Sequence, residues 1–518
     1  PPADFADPED GNDTIGWFDG YWYNEPLDID AEGGLTEDEL EEVSARTAAR
    51  FEAMRCLTFD SLPPVEIMDR ETFAEETEDQ FEGVDDQTRQ FENAQFEAML
   101  LIGSDEDAVD VQQADRTAVV GGYYDFIDDE VVVISDDPDQ LQLDEAILAH
   151  ELGHALQNQH FDLAEYDRPT RDIDNGKLGV IEGDVHRIEH EYLEYCELDL
   201  WNEPCILDDS SAEETAQEPP SWGLYFMQFQ PYSDGPNFID HVYEEDGWDG
   251  VNDLYEDMPR SSVEVIYPEG YGEFEAADLE VEDRSSDDWE RLTVEGGPDH
   301  NELGQAGLSA MFMDQSYEAA AGLFGDEAPI IPQDEFFNLD DPTNPLNYDL
   351  DETRGWEGDR LYAYSNEDGD SAVVWKQAWA DEDELATFAS TYEQLIELRG
   401  GERVDGTAHT WTFDDDSDFD MAMTLYPDDD RLWIVTAPTT DELTEIHDID
   451  ILEEGDTPIV TDDEADDDES AGDDAGDDTD DETADDADTV PGFAASAAIV
   501  ALSVSLMLAT RKRRVSDQ

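Results

Sequence analysis

The sequence predicts an α+β protein: a strand hairpin, a two-histidine helix, a second helix with a buried acid, and then a smaller α+β module. Three observations carry this prediction. Residues 119–124 and 131–134 are apolar runs on either side of Asp128-Asp129, and they read as a strand pair. Just beyond, Ile147, Leu148, Leu152, Ala155 and Leu156 recur at helical spacing behind Asp144, a good N-cap residue. From residue 354 onward, strand-like runs surround one amphipathic helix.

In chain order, residues 1–35 form an extended lead-in with aromatic anchors at Trp17, Phe18, Tyr21, Trp22 and Tyr23. Residues 36–326 form the larger unit. Thr36 caps a helix with acids early and arginine late, as the helix dipole favours. Residues 64–68 read as a short strand and 86–102 as a helix with Phe91, Phe96, Met99 and Leu100 inward. The two-histidine helix covers 143–161, a polar loop 162–175, and a second helix follows as KLGVIEGDVHRIEHEYLEYC. Ser221 to Gly272 is rich in aromatics and turns, and Asp234-Gly235-Pro236 could start a helix within it. Residues 302–324 return to a helical apolar pattern.

A Pro/Asn/Asp-rich linker, 327–353, leads to the α+β module, 354–452. In that module GWEGDRLYAYS, AVVWKQAWA, AHTWTF, FDMAMTLY and RLWIVTA read as strands. DEDELATFASTYEQLIEL is amphipathic, with Leu385, Phe388, Ala389, Tyr392 and Ile396 on one face, and TDELTEIHDI closes the module as a helix. Residues 453–490 are dominated by Asp, Glu, Ala, Gly and Thr, cannot build a core, and read as a disordered, self-repelling spacer. The tail, 491–518, is an apolar stretch of roughly 27 Å as a helix, ending in Arg511-Lys512-Arg513-Arg514. It reads as a transmembrane segment with a cytoplasmic end, which leaves the bulk of the chain outside the cell.

The charge is extreme: 143 Asp+Glu against 23 Lys+Arg, net −120, with only three lysines. Yet 39% hydrophobic and 10% aromatic content suffices for real cores. Such a surface repels itself in dilute buffer, and molar salt screens that cost, so the chain reads as halophilic. A calcium-binding surface is the rival reading of the acids, although they spread over the whole chain. A nucleic-acid partner is excluded for want of a basic footprint. Of Cys56, Cys196 and Cys205, Cys196–Cys205 is the local disulfide candidate, and three free thiols are the alternative. Asn12 begins a glycosylation sequon. The chain starts without Met, and an export signal is expected upstream.

The chemistry concentrates in His150-Glu151-Leu152-Gly153-His154. Positions i and i+4 share a helix face, so both imidazoles can reach one ion, with Glu151 placed to activate a water on it. Catalytic zinc takes three protein ligands and leaves a fourth place for water. Glu182, 28 residues after His154, is the third ligand of choice because apolar Val180 and Ile181 argue for its burial. A helix that happens to carry two histidines is the bland alternative, and burying them beside a glutamate without a metal is costly. The strand pair before the motif offers an edge that could hold an extended peptide. Tyr232, His241, Tyr267 and Tyr271 are candidate donors to a tetrahedral oxyanion, against the plainer reading of core and turn residues.

HELGH followed by the Glu of IEGD resembles the gluzincin metallopeptidases. The resemblance implies a gluzincin-like domain with zinc held by His150, His154 and Glu182 and Glu151 as general base. It also implies an Asp supporting a ligand histidine one turn after the ligand Glu. Here that place is His186, and the nearest Asp is Asp184. The tail, beginning PGF at 491, resembles the PGF-CTERM sorting signal, which implies processing by an archaeosortase and membrane anchoring at the cell surface. The whole chain resembles a family of haloarchaeal surface proteins with a gluzincin-type core. The expectation is therefore a cell-surface zinc peptidase acting on peptides. Its alternative is a non-catalytic structural or binding protein on a peptidase-derived scaffold.

Overall fold

The computed structural model describes residues 5–9, 11–29, 34–135, 144–201, 205–207, 219–286, 288–294, 297–320, 329–338, 341, 343–413, 417–449 and 451–453. The acidic spacer beyond its first residue, and the whole apolar tail, lie outside these. The fold is α+β.

In the lead-in, β1 (Trp17–Phe18) and β2 (Tyr21–Trp22) form a small hairpin. Asn12 falls in the 3-10 turn Gly11–Asp13. Helix α1 (Glu37–Arg55) starts at Thr36, which exchanges hydrogen bonds with Glu39 in a capping box. β3 (Val65–Asp69), β4 (Gly122–Asp125) and β5 (Glu130–Ser135) make a three-stranded sheet in the order β3-β5-β4. β4 pairs antiparallel with β5 as the expected hairpin and forms one edge of the sheet, while β3 runs parallel to β5. Between β3 and β4 lie α2 (Arg70–Phe81), α3 (Asp86–Ala98) and α4 (Ala108–Val119). Of these the sequence pattern suggests only α3.

α5 (Glu145–Phe161) carries the histidine pair, and Asp144 caps it by accepting from the Ala146 N–H. α6 (Arg171–Glu197) begins inside the stretch expected as a loop. Its first turn is held by Asp172, whose buried carboxylate accepts from the backbone and hydroxyl of Ser262.

A larger departure follows. The aromatic stretch after Ser221 is mostly one helix, α7 (Trp222–Leu254), interrupted at Gly247 (φ 67°). Asp234-Gly235-Pro236 lies inside α7 and does not start a helix. Tertiary contacts explain this. Pro231 cannot donate to the Met227 carbonyl, and Asn175 of α6 donates to it instead at 3.0 Å. Asp234 is tied to Gln230 and Asn344 rather than capping a new turn. Gly235 is the crossing point with α6: a Cβ on Gly183 would sit 2.4 Å from the Gly235 carbonyl carbon. After α8 (Ser262–Ile266) the chain forms β6 (Trp289–Arg291) and α9 (Gly304–Ala320), close to the helix expected over 302–324.

A short α10 (Gln333–Phe336) precedes β7 (Trp356–Asn366), β8 (Ser371–Trp379), α11 (Glu382–Leu398), β9 (Gly401–Arg403), β10 (Thr410–Phe413), β11 (Ala422–Asp428), β12 (Arg431–Ala437) and α12 (Leu443–Ile446). The strands form an antiparallel sheet in the order β6-β7-β8-β12-β11-β10-β9. Its β6 edge comes from residues that precede the 327–353 linker. Both faces are covered. Leu361, Ala363, Val373 and Trp375 face one apolar cluster, and Tyr362, Tyr364, Ala372 and Val374 face another. The first cluster also takes in α3, α7, α9 and α11, so the sheet and the helical part share a core. Among the described residues no helix is long and apolar enough to cross a membrane.

Candidate metal centre

The site forms where α5, α6 and α7 meet. Small residues allow the approach. A Cβ on Gly153 of α5 would come within 2.9 Å of Val185 of α6, and one on Gly183 of α6 within 2.4 Å of the Gly235 carbonyl carbon of α7. The start of α5 is fixed separately. The Glu145 carboxylate is fully buried and accepts from Arg50 (2.6 Å), the Tyr192 hydroxyl (2.5 Å) and the Ile206 N–H (2.9 Å). Ile206 also accepts from the Glu145 N–H at 2.8 Å, and it follows Cys205, which is disulfide-bonded to Cys196 at the end of α6. Cys56 is a free, exposed thiol.

His150, Glu151, His154 and Glu182 are all buried. The Nε2 atoms of His150 and His154 lie 2.9 Å apart, and Glu182 Oε2 is 3.6 Å from the first and 3.2 Å from the second. The opposite ring nitrogens are tied off. His150 Nδ1 meets Glu189 Oε2 at 3.1 Å, and His154 Nδ1 meets Gln157 Oε1 at 3.0 Å. The Gln157 amide is oriented by donating its Nε2 to the Ile181 carbonyl at 2.8 Å. Both partners are acceptors, so both histidines carry their proton on Nδ1. Two ring nitrogens and a carboxylate oxygen then converge on one point, an arrangement that suits a cation. Even without a metal the carboxylates hold positive charge there. Burial opposes charge on His150, but Glu182 and Glu189 outweigh it and raise its pKa to about 10. Burial would raise Glu182, but His154 and His150 pull it down to about 2. The donor set, two imidazoles and a carboxylate, suits zinc.

Glu151 is raised to about 7, chiefly by burial, against the pull of His150 and His154. Gly122 of the edge strand β4 packs against it: a Cβ there would lie 3.5 Å from Glu151 Cγ. Tyr232 is buried at the cluster, with its ring 5.4 Å from His186; burial, then Glu182 and Glu151, hold its phenol protonated. The other candidate donors are elsewhere. His241 lies nine residues past Tyr232, ~13.5 Å of helix. Tyr267 donates to Asp349 at 2.6 Å, and Tyr271 donates to the Asp257 carbonyl.

Asp184 does not touch either histidine. It accepts from Arg55 (2.8 Å) and Tyr255 (2.8 Å), and reaches His154 only through Gln157. His186 lies against His150, with ring centroids 5.2 Å apart, and burial lowers its pKa to about 3 against the opposing charge of Glu189. The supporting carboxylate is Glu189, which sequence reasoning missed. Its signal was present: Glu189 is seven residues after Glu182, two turns on the same face of α6. Gln157, three residues after His154, carried a similar signal.

Fold and cluster together define an α+β protein with a buried His–His–Glu candidate metal centre. Residues 290–447 match the family model "Domain of unknown function (DUF8575)". That stretch holds nearly all of the seven-stranded sheet and none of α5 or α6. No curated protein and no solved structure matches the chain.

Proposed function

We propose that the chain is a zinc-dependent peptidase of gluzincin type, held at the cell surface of a halophile by its C-terminal tail. One observation carries the reading: His150 Nε2, His154 Nε2 and Glu182 Oε2 converge with both Nδ1 atoms already satisfied, and Glu151 stands in the same helical turn. Zinc held by these three residues would polarise a peptide carbonyl and acidify a water. Glu151, in the same helical turn, would take a proton from a water there and pass it to the leaving amine. Tyr232, kept protonated, donates to the developing oxyanion. Among the described residues β4 has a partner strand on one side only, and it runs beside Glu151, which suits an extended peptide added along its edge. The surface assignment rests on the acidic spacer and the basic-ended apolar tail.

A second reading, a non-catalytic binding or structural protein on a peptidase-derived scaffold, is favoured by burial: Glu151 is only 3% exposed. The test is zinc content together with casein hydrolysis on the full chain in multimolar salt, with and without a chelator. The proposal expects one zinc at this centre and chelator-sensitive cleavage. Glu151→Gln should lose about 10²-fold or more in rate while keeping the metal. Zinc without cleavage supports the second reading, and absence of zinc ends both the ligand assignment and the peptidase.

A further inference from the structure

The face of α6 beyond Glu182 contains a second histidine pair. His186-Arg187-Ile188-Glu189-His190 places two imidazoles four residues apart with a glutamate between them. Glu189 Oε2 lies 3.1 Å from His150 Nδ1 and 3.5 Å from His186 Nδ1. One donor atom from each of His150, His186 and Glu189 lies within 4.8 Å of the other two, and all three residues are buried. His150 thus faces two donor groups through its two different ring nitrogens.

Glu189 by itself is explained as the acceptor that orients His150. His186 is not explained in that way. It is 4% exposed, and neither of its ring nitrogens has a hydrogen-bond partner; His190 Nδ1, one turn further along, is likewise buried without one. An imidazole buried with both nitrogens unsatisfied is costly, and a cation among these donors would satisfy one of the two.

We propose that His186, Glu189 and His150 Nδ1 form a second cation site, suited to zinc or a similar divalent transition metal. Imidazole and carboxylate donors select that class over calcium or magnesium. The second cation takes the place of the proton that His150 Nδ1 otherwise gives to Glu189, and that proton leaves to solvent. His150 then bridges the two centres. The inference shares His150 with the proposed peptidase centre but does not need the peptidase activity.

The test is a visible-absorbance titration of the metal-stripped full chain with Co²⁺ in multimolar salt. Low-coordinate sites with histidine ligands absorb strongly, whereas the acidic surface binds cobalt octahedrally with weak colour. The expected result is two strongly absorbing equivalents for the natural chain, and one for His186→Asn, for His186→Phe (which keeps the ring volume) and for Glu182→Gln. Circular dichroism checks that each variant folds. One equivalent, lost in Glu182→Gln but kept in both His186 variants, overturns the second site and leaves the first. One equivalent, lost in the His186 variants but kept in Glu182→Gln, upholds the second site and removes the first. No strongly absorbing equivalent overturns both.

Discussion

At the scale of single residues, the centre depends on acceptors that lie outside the motif. Gln157 holds His154 Nδ1 with its carbonyl and is itself held by the Ile181 carbonyl, next to Glu182. One amide therefore links two of the three donors of the first centre. Gln157→Leu keeps most of the volume but frees the His154 ring and removes the side-chain donor to the Ile181 carbonyl. Zinc affinity is expected to fall about 10–100-fold, read by chelator competition, with the circular dichroism spectrum unchanged. An unchanged affinity would remove Gln157 from the account. Part of this centre was legible in sequence: helical spacing puts His150 and His154 on one face, and the apolar neighbours of Glu182 mark it for burial. Tyr267, Tyr271 and His241 were not separable from Tyr232 by sequence, since their placement depends on how α7 crosses α6.

At the scale of elements, that crossing is set by glycine. Gly183 and Gly235 bring α6 and α7 into backbone contact, which puts Tyr232 beside Glu182. Two substitutions on α6 separate backbone from side-chain contact. In Gly183→Ala the new methyl would lie 2.4 Å from the Gly235 carbonyl carbon, so a helix must move. In Gly179→Ala the nearest atom, at 2.6 Å, belongs to the Val265 side chain. Both alanines improve local helix propensity, so overpacking alone decides the sign. Gly183→Ala is expected to cost about 1–3 kcal/mol or more, and Gly179→Ala less. Denaturant midpoints in multimolar salt check the order; equal midpoints would argue against the crossing described. The long helix itself was hidden in the sequence by Pro231 and Pro236. Asn175 supplies the hydrogen bond that Pro231 cannot, and a window along one helix does not see a partner 52 residues away.

For the whole molecule, a net charge of −120 makes stability a function of salt. Raising salt from about 0.1 M to molar shortens the screening length from ~10 Å to ~3 Å. The melting temperature is expected to rise steadily over that range, as read by calorimetry; a flat profile would refute the halophilic reading. The pH dependence has a separate origin in buried acids. Burial lifts Asp115, Asp234 and Asp359 to about 7 and Glu52 to about 8, against the hydrogen bonds each accepts. Their folded pKa values exceed the unfolded ones, near 4, so the folded state binds more protons between about pH 4 and 8. The stability they lend is complete below about pH 4 and is lost by pH 7–8. In saturating salt, where surface repulsion is screened, the melting temperature should therefore fall from pH 5 to pH 8. A rise over that window would contradict it.

The sequence by itself determined the α+β class, the hairpin ahead of the histidine helix, the caps at Thr36 and Asp144, and five of the seven strands and the long helix of the C-terminal sheet. Each depends on local periodicity or on a side chain bonding to its own neighbours. It also singled out His150, Glu151, His154 and Glu182 through spacing along one helix and burial on the next. The tertiary structure alone decided that Ser221 opens a long helix, that residues 289–291 join the seven-stranded sheet, and that Glu189 rather than Asp184 supports His150. In each of these the deciding partner is distant in sequence: Gly183 and Asn175 for α7, β7 for β6, and α5 for Glu189. Contacts of that kind exist only after the chain has folded; spacing along α6 places Glu189 on the face of Glu182 but does not name its partner.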